Sequence, residues 1–439
     1  MTTKGILKFY FPLMASWMLM AVEGPVCVYI LSQGKNSVTD TAAFLLMFGV
    51  ALWVESPVID LLSTSTTLAT SPSRIRAIRR FALQCMTWCT VVHFLLAFTP
   101  AYGFLMSRLL GVQPDVADAA RVPLMIMLPW SAFIGWRRWL QGILIRTGMT
   151  REVGRGTFIR MITIFIVGFG FSIFTPWKGL GAACLALVCS VFSEMAYIHW
   201  ASRRPLAKLL QAEDADPPLS SRDLLRFHVP LTISTMVGMT TMPIMAAALS
   251  RFPEAKLHMA AWQVYTSSSW AFRAPAFALP ETIISLVKDA ESGRALRRFS
   301  IQVGVIFTSL MVLLWAGGVP EWFFLRVLGV KPELVPLATL AFILTSLLPV
   351  VSCVMCYVRG RLTLAHLTMP RVLATVLSVV VLALAMLLGR ALGWPGVHSA
   401  AFAVTCSLIV EMGIQAWYWW RSSHRTHGSQ VPEPSSIPS

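Results

Sequence analysis

The chain has 439 residues, of which 56% are hydrophobic and 13% charged, and its mean hydropathy is +0.68. A soluble domain carries roughly 25% charged residues, so an ordinary water-facing globule is excluded. The net charge of +16 is read with the membrane topology below, which places it in loops and removes nucleic acid as an expected partner.

Apolar runs fall near residues 9–31, 41–65, 81–106, 119–142, 157–175 and 179–200, then 227–249, 258–287, 299–325, 334–358, 370–390 and 396–420. Each approaches the roughly 20 residues needed to cross the hydrocarbon core. The runs are continuous rather than alternating, which indicates helices that satisfy their own backbone and not barrel strands. The fold class predicted is all-α integral membrane, with twelve transmembrane helices.

Nine of the 36 basic residues lie in the odd-to-even connections: Lys35, Arg108, Arg121, Lys178, Arg251, Lys256, Arg326, Lys331 and Arg390. Arg273 falls inside a span, leaving 26 for the N-terminus, the even-to-odd loops and the tail. The positive-inside rule then predicts a plasma (inner) membrane protein with both termini cytoplasmic. The eight cysteines lie in or beside spans; Cys353 and Cys356 form a C-x-x-C without further ligands, so buried thiols are expected and neither a metal nor a cofactor.

Shifting the chain by 218 residues aligns it with itself. Pro12 meets Pro230, Ser16 meets Ser234, Pro25 meets Pro243 and Pro57 meets Pro275. AIRRFALQ at 77–84 falls on ALRRFSIQ at 295–302, and RLLGVQPD at 108–115 falls on RVLGVKPE at 326–333. The offset then drifts, with Pro129 on Pro349 and Cys189, Ser190 and Glu194 on Cys406, Ser407 and Glu411. The prediction is an N-terminal six-helix lobe over 1–200, a cytoplasmic interlobe loop over 201–223, a C-terminal lobe over 224–420 and a disordered cytoplasmic tail over 421–439. An even number of spans per copy gives two lobes of like orientation, related by a pseudo-twofold axis along the membrane normal, one known transporter architecture.

This arrangement resembles the multidrug/oligosaccharidyl-lipid/polysaccharide (MOP) flippase superfamily, which includes the MATE exporters. LLGVQPDVADAA before the fourth span, LQGILIRTG after it and GLGAACLALVCS opening the sixth carry the likeness. Within the superfamily the chain looks most like the progressive ankylosis (Ank) family and its bacterial relatives. The stretches behind this are FPLMASWMLMAVEGP, WVESPVIDLLSTSTTL, FRAPAFALPETI and YVRGRLTLAH. The Ank resemblance implies export of small anions of the citrate, pyrophosphate or nucleotide kind.

Charges inside hydrocarbon cost about 3 kcal/mol at a helix centre, so each is a functional candidate. Glu23 stands two residues before Pro25, resembling the acid and proline around which MATE exporters bend their first helix on binding a proton or an ion. A structural acid bonded to a neighbouring helix is the competing reading. Glu55 and Arg273 occupy the same repeat position, each two residues before a proline, and could meet across the central cleft. They would form an interlobe ion pair, a substrate site in which Arg273 binds an anion, or a permanent brace. Asp60 and His93 are further ion-coupling candidates, and Pro25, Pro243, Pro57 and Pro275 are candidate hinges. Arg137, Arg138, Arg359 and Arg361 read mainly as topology determinants, with Glu194 and Glu411 neutralising them.

No Walker loop, H-E-x-x-H or nucleophile–base pair occurs, so an enzyme is not expected. The leading expectation is a monomeric secondary transporter, exporting a small organic or phosphate-bearing anion by alternating access. The alternatives are a MATE-type antiporter, whose proton or sodium coupling drives efflux of organic cations, and a flippase for lipid-linked substrates.

Overall fold

The computed structural model describes residues 3–175, 178–214, 216–365, 367 and 369–425. The tail expected to be disordered over 421–439 starts instead as helix, since α12 continues to Arg425, and its residues from 426 onward lie outside the described residues. Every regular element among them is helical, and they form twelve rods.

The first half comprises α1 (Thr3–Ala21 and Glu23–Ser32), α2 (Ser37–Ile59 and Leu61–Leu68), α3 (Pro72–Phe98), α4 (Pro114–Ile126 and Trp130–Arg146), α5 (Thr150–Phe174) and α6 (Leu180–Leu210). The second comprises α7 (Ser221–Met239 and Thr241–Leu249), α8 (Ala255–Arg273, a 3-10 turn at Ala274–Ala278, and Leu279–Leu286) and α9 (Ala290–Ala316). It ends with α10 (Val335–Leu344 and Leu348–Leu364), α11 (Met369–Ala391) and α12 (Gly396–Arg425). Nine rods are long and apolar enough to cross a membrane, and the bent α4 and α10 bring the number to eleven. The twelfth is α8, which carries Gln263, Ser267, Ser268, Ser269 and Arg273 on its first segment.

Proline dictates most of the interruptions. α1 breaks at Val22 and α7 at Thr240, three residues before Pro25 and Pro243. A proline has no N–H, so the carbonyl four residues earlier loses its helical partner. α2 passes Pro57 as helix, with the Ser56 hydroxyl donating to the Trp53 carbonyl at 2.8 Å. α8 instead unwinds into the 3-10 turn at Pro275, because Pro280 follows five residues later and removes a second donor.

The repeat offset stays at 218 through α4 and α10. Both rods bend by 47°, and their second segments start and end 218 residues apart. Gly142 packs on Ser65 as Gly360 packs on Ile283, again 218 apart in both partners. Pro129 therefore corresponds to Leu347, which corrects the expected match with Pro349. Proline suits a helix N-cap position and a first-turn position alike, so aligning on proline slips the register by two.

Within the first half α6 packs on α5, α4 and α1, and within the second α12 packs on α11, α10 and α8. The halves meet through α2 on α7 and α8, and through α1 on α8. This interface repeats itself. Tyr10 donates to the Pro275 carbonyl at 3.1 Å, and His228, its repeat partner, bonds the Pro57 carbonyl at 2.8 Å. Phe299 meets the Tyr10 ring edge-on at 5.1 Å, as Phe81 meets the His228 ring at 5.1 Å.

At the end opposite the termini the halves are latched. Arg251 donates to the carbonyls of Leu110 (3.1 Å) and Leu109 (3.2 Å), Ser250 donates to Leu110 (3.0 Å), and Lys256 pairs with Asp115. Gly111 turns under the Arg251 guanidinium with φ +64°, and its repeat partner Gly329, with φ +63°, turns under Ser32 and Gln33. Left-handed backbone at both positions favours glycine, which accounts for the repeated LGV.

α6 continues ten residues past its predicted end and α7 begins at Ser221, so the link between halves narrows to residues 211–220. The Asp214 carboxylate accepts from the Ser73 amide (3.1 Å) and hydroxyl (2.7 Å), capping α3, while Arg74 donates to the Pro217 carbonyl at 3.1 Å. These Ser73 hydrogen bonds hold the Asp214 carboxyl below the usual carboxylate range. A depressed native value stabilises the clasp above that range, and the stabilisation is lost as pH falls through it. Hydrogen exchange of the Ser73 amide, corrected for its intrinsic rate, should accelerate on acidification and be fast at all pH in Asp214→Ala. Separately, a Cβ on Gly142 would stand 2.5 Å from the Ser65 Cβ and 2.8 Å from the Leu62 carbonyl oxygen. Gly142→Ala should cost about 1–3 kcal/mol of overpacking, read as a lower Tm in detergent.

Candidate functional site

Each half is built around one buried carboxylate. Glu194 on α6 pairs with Arg137 of α4 and accepts from Gln141 (3.3 Å) and Thr157 (3.4 Å). Arg160 of α5 approaches it to 3.7 Å. Glu411 on α12 pairs with Arg359 of α10 and accepts from Thr375 (3.0 Å), Gln415 (3.0 Å) and Ser378 (3.4 Å). Under the 218 shift Thr157 matches Thr375, Gln141 matches Arg359 and Arg160 matches Ser378. The two hubs share a plan but differ in which position carries the guanidinium.

Arg273 is therefore not the lone intramembrane arginine that the sequence suggests. Arg137 and Arg160 are 4% and 8% exposed, and both stand inside the helical bundle. Arg160 bridges the hub to α1: its guanidinium donates to Glu23 from Nε (3.2 Å to Oε1) and from Nη2 (2.7 Å to Oε1, 2.5 Å to Oε2). Glu23 is the first residue after the break in α1, so this pair ties the helix interruption to α5.

Glu55 and Arg273 do not meet across the halves, and no ion pair joins them among the described residues. Glu55, 3% exposed, points into its own half near Trp130 and in the field of Arg137, Arg138 and Arg160, with its Oε2 left without a hydrogen-bond partner. Arg273 ends the first segment of α8 and donates from Nε to the Ser352 hydroxyl of α10 at 3.1 Å. No carboxylate comes within ion-pair distance of it among the described residues. On α8 Gln263 Oε1 and Ser268 Oγ, and on α10 Thr339 Oγ1, are buried without a hydrogen-bond partner.

The other expected residues are separated from these. His93, 1% exposed, bonds the Leu124 carbonyl at 2.8 Å, beside the bend of α4. The Leu128 amide turns to Met125 there, so His93 supplies a partner to a carbonyl that the bend releases. Asp60 lies at the break of α2, next to Thr235 of α7 and in the field of Arg371 of α11. Pro25 and Pro243 flank breaks, while the carbonyls of Pro57 and Pro275 accept the His228 and Tyr10 bonds. Sequence reasoning passed over Arg160, Tyr10 and His228. The 218 shift carries a signal for the first, since it sets an arginine against Ser378 just where Glu23 faces Thr241.

Two concavities lie away from these charges. A groove of about 560 Å³ on α3, α4 and α6 is lined by residues such as Met86, Phe133 and Trp136, and a cleft of about 840 Å³ is lined by His258, Arg390 and Trp394. Among the described residues no three His, Cys, Asp or Glu side chains gather as metal ligands.

No protein-family description and no curated protein matches the chain in sequence. Solved structures do match its fold. An inward-facing multidrug resistance MATE family transporter of the MOP superfamily superposes with a TM-score of 0.70 at 12% identity, over 94% of this chain and 96% of that one. A MOP superfamily transporter from Pyrococcus furiosus, described as having a binding pocket of reversed polarity, gives 0.70 at 12% identity over 97% of each chain. The lipid II flippase MurJ, in an inward closed conformation, gives 0.66 at 12% identity over 96% of this chain and 94% of its own. The chain is a multi-pass membrane protein with the fold of the MATE transporters of the MOP superfamily.

Proposed function

We propose that the protein is a secondary transporter that carries a small organic or phosphate-bearing anion between its two halves, as the Ank-like stretches imply. The observation that carries this reading is Arg273. It is a cation on α8, whose first segment carries Gln263, Ser267, Ser268 and Ser269, and it is held by a hydroxyl and not by a carboxylate. A guanidinium in that setting keeps donors for a carboxylate or phosphate, which it can grip with two parallel hydrogen bonds. The acids Glu23, Glu194 and Glu411 already bind arginines, so they are occupied as sites for an organic cation. The reversed pocket polarity named for the Pyrococcus furiosus transporter is a precedent for a change of pocket polarity within this fold. Efflux in this reading follows the cargo's own gradient or an exchange, with the even-to-odd loops and both termini cytoplasmic.

A second reading rests on the orphan Oε2 of Glu55. A buried carboxyl that no cation reaches at ion-pair distance among the described residues, with three arginines acting on it from further off, is a place for a proton or an organic cation, as in a MATE-type antiporter. The flippase alternative, for which MurJ is the fold precedent, needs a wide cationic cavity.

Proteoliposomes loaded with labelled citrate or pyrophosphate separate these readings. Anion efflux is expected, and Arg273→Ala should reduce it roughly 10- to 100-fold, the worth of a charge-assisted hydrogen bond of about 1.5–3 kcal/mol. Arg273→Lys should recover only part of it. Full activity of Arg273→Ala removes Arg273 from the mechanism. Ethidium efflux abolished by Glu55→Gln would favour the cation reading, and lipid-linked sugar movement would favour the flippase.

A further inference from the structure

We propose that Arg160 is the tethered counter-ion of Glu23 and thereby the residue that sets cation specificity: with its guanidinium in place, the Glu23 carboxylate takes up no free cation during transport. An intramembrane carboxylate needs a positive partner, and here that partner is covalently part of the chain. Both Glu23 oxygens are engaged by Arg160, at 2.5 and 2.7 Å from Nη2. The remaining Nη1 faces Glu194 at 3.7 Å, so the guanidinium stands between two acids that would otherwise repel. A free cation would have to displace a fork fixed by three hydrogen bonds.

The other half supplies the comparison. Where the first half has Glu23 and Arg160, the second has Thr241 and Ser378, and both charges of the pair are missing together. Thr241 donates to the Gly238 carbonyl at 2.9 Å, and Ser378 to the Thr375 carbonyl at 2.8 Å. The second hub holds without them, so the charge pair is an addition to the shared scaffold and not a requirement of it. Its placement, across the break at Val22, shows what it adds: the interrupted α1 is fastened to α5 by a bond that needs no ion from solution.

The charged and titratable groups facing Glu23 support the assignment. Arg160 comes from α5, Glu194 from α6 and Cys27 from the next turn of α1. Glu55 of α2 acts on the same guanidinium. α8 presents Ser267 against Gly24. Removing the Arg160 side chain would leave a guanidinium-sized gap between Glu23 and Glu194, with two negative charges and one missing cation. Such a gap is a site for a free guanidinium or sodium ion.

The test does not depend on the cargo. Purified Arg160→Ala should bind guanidinium chloride at low concentration, seen as a rise in Tm absent from the wild type and from Glu23→Gln/Arg160→Ala. In proteoliposomes the same ion should restore several-fold of the flux lost in Arg160→Ala, whatever substrate proves to be transported. Wild-type flux should be independent of sodium. A wild-type sodium or proton dependence that Glu23→Gln abolishes overturns the proposal. Should Arg160→Ala fail to fold, Glu23→Thr/Arg160→Ser copies the pair of the second half. It should fold and retain the wild-type response to sodium and pH, and loss of a coupling that the wild type possesses would again overturn the assignment.

Discussion

Helices in a bilayer gain little by burying apolar surface against one another, because the surrounding lipid is equally apolar. Packing and polar bonds must then specify which helices stay together. Glu194 and Glu411 do this in their halves, each drawing the fourth, fifth and sixth rods onto one carboxylate. Deleting one partner of a buried ion pair strands a charge, at a cost of about 3–5 kcal/mol. The architecture of either half therefore hangs on a side chain near the middle of its last rod.

Around those two points the halves have diverged in charge. The first hub takes its cations from Arg137 and Arg160 and extends to Glu23; the second takes one from Arg359 and stops. Position 55 of the first half carries an acid, and its equivalent in the second carries Arg273. The same divergence separates a rod that stays helical past one proline from a rod that unwinds between two. A scaffold held by shared hydroxyls and carboxylates leaves the neighbouring positions free to change sign.

Much of this was legible in the sequence. Helical spans show as continuous apolar runs, and the 218-residue shift exposes the duplicated halves down to Pro25 with Pro243. α8 was legible too, although its polar stripe hides it from an apolarity test. The site was harder. Arg160 is the fourth residue of the run that starts at 157, where a basic residue reads as loop charge. Tyr10 and His228 differ in kind, so nothing in the alignment marks them as equivalents, yet they serve equivalent carbonyls, those of Pro275 and Pro57. The expected meeting of Glu55 with Arg273 failed for a geometric reason. Residues related by a twofold axis touch only if they lie on it, and these two face into their own halves, toward Trp130 and Ser352.

The contacts between halves are reciprocal: Tyr10 reaches Pro275 while His228 reaches Pro57, and Gly111 lies under Arg251 while Gly329 lies under Gln33. An interface in which patch i meets patch j and j meets i is isologous, the kind formed by two identical subunits in a closed dimer. The seam within this single chain thus has the form of a quaternary contact carried inside one polypeptide. A half-length ancestor would already have possessed both sides of it. Fusion then released the two copies from the obligation to be identical, and a lone arginine could appear on one side of the axis without its image on the other.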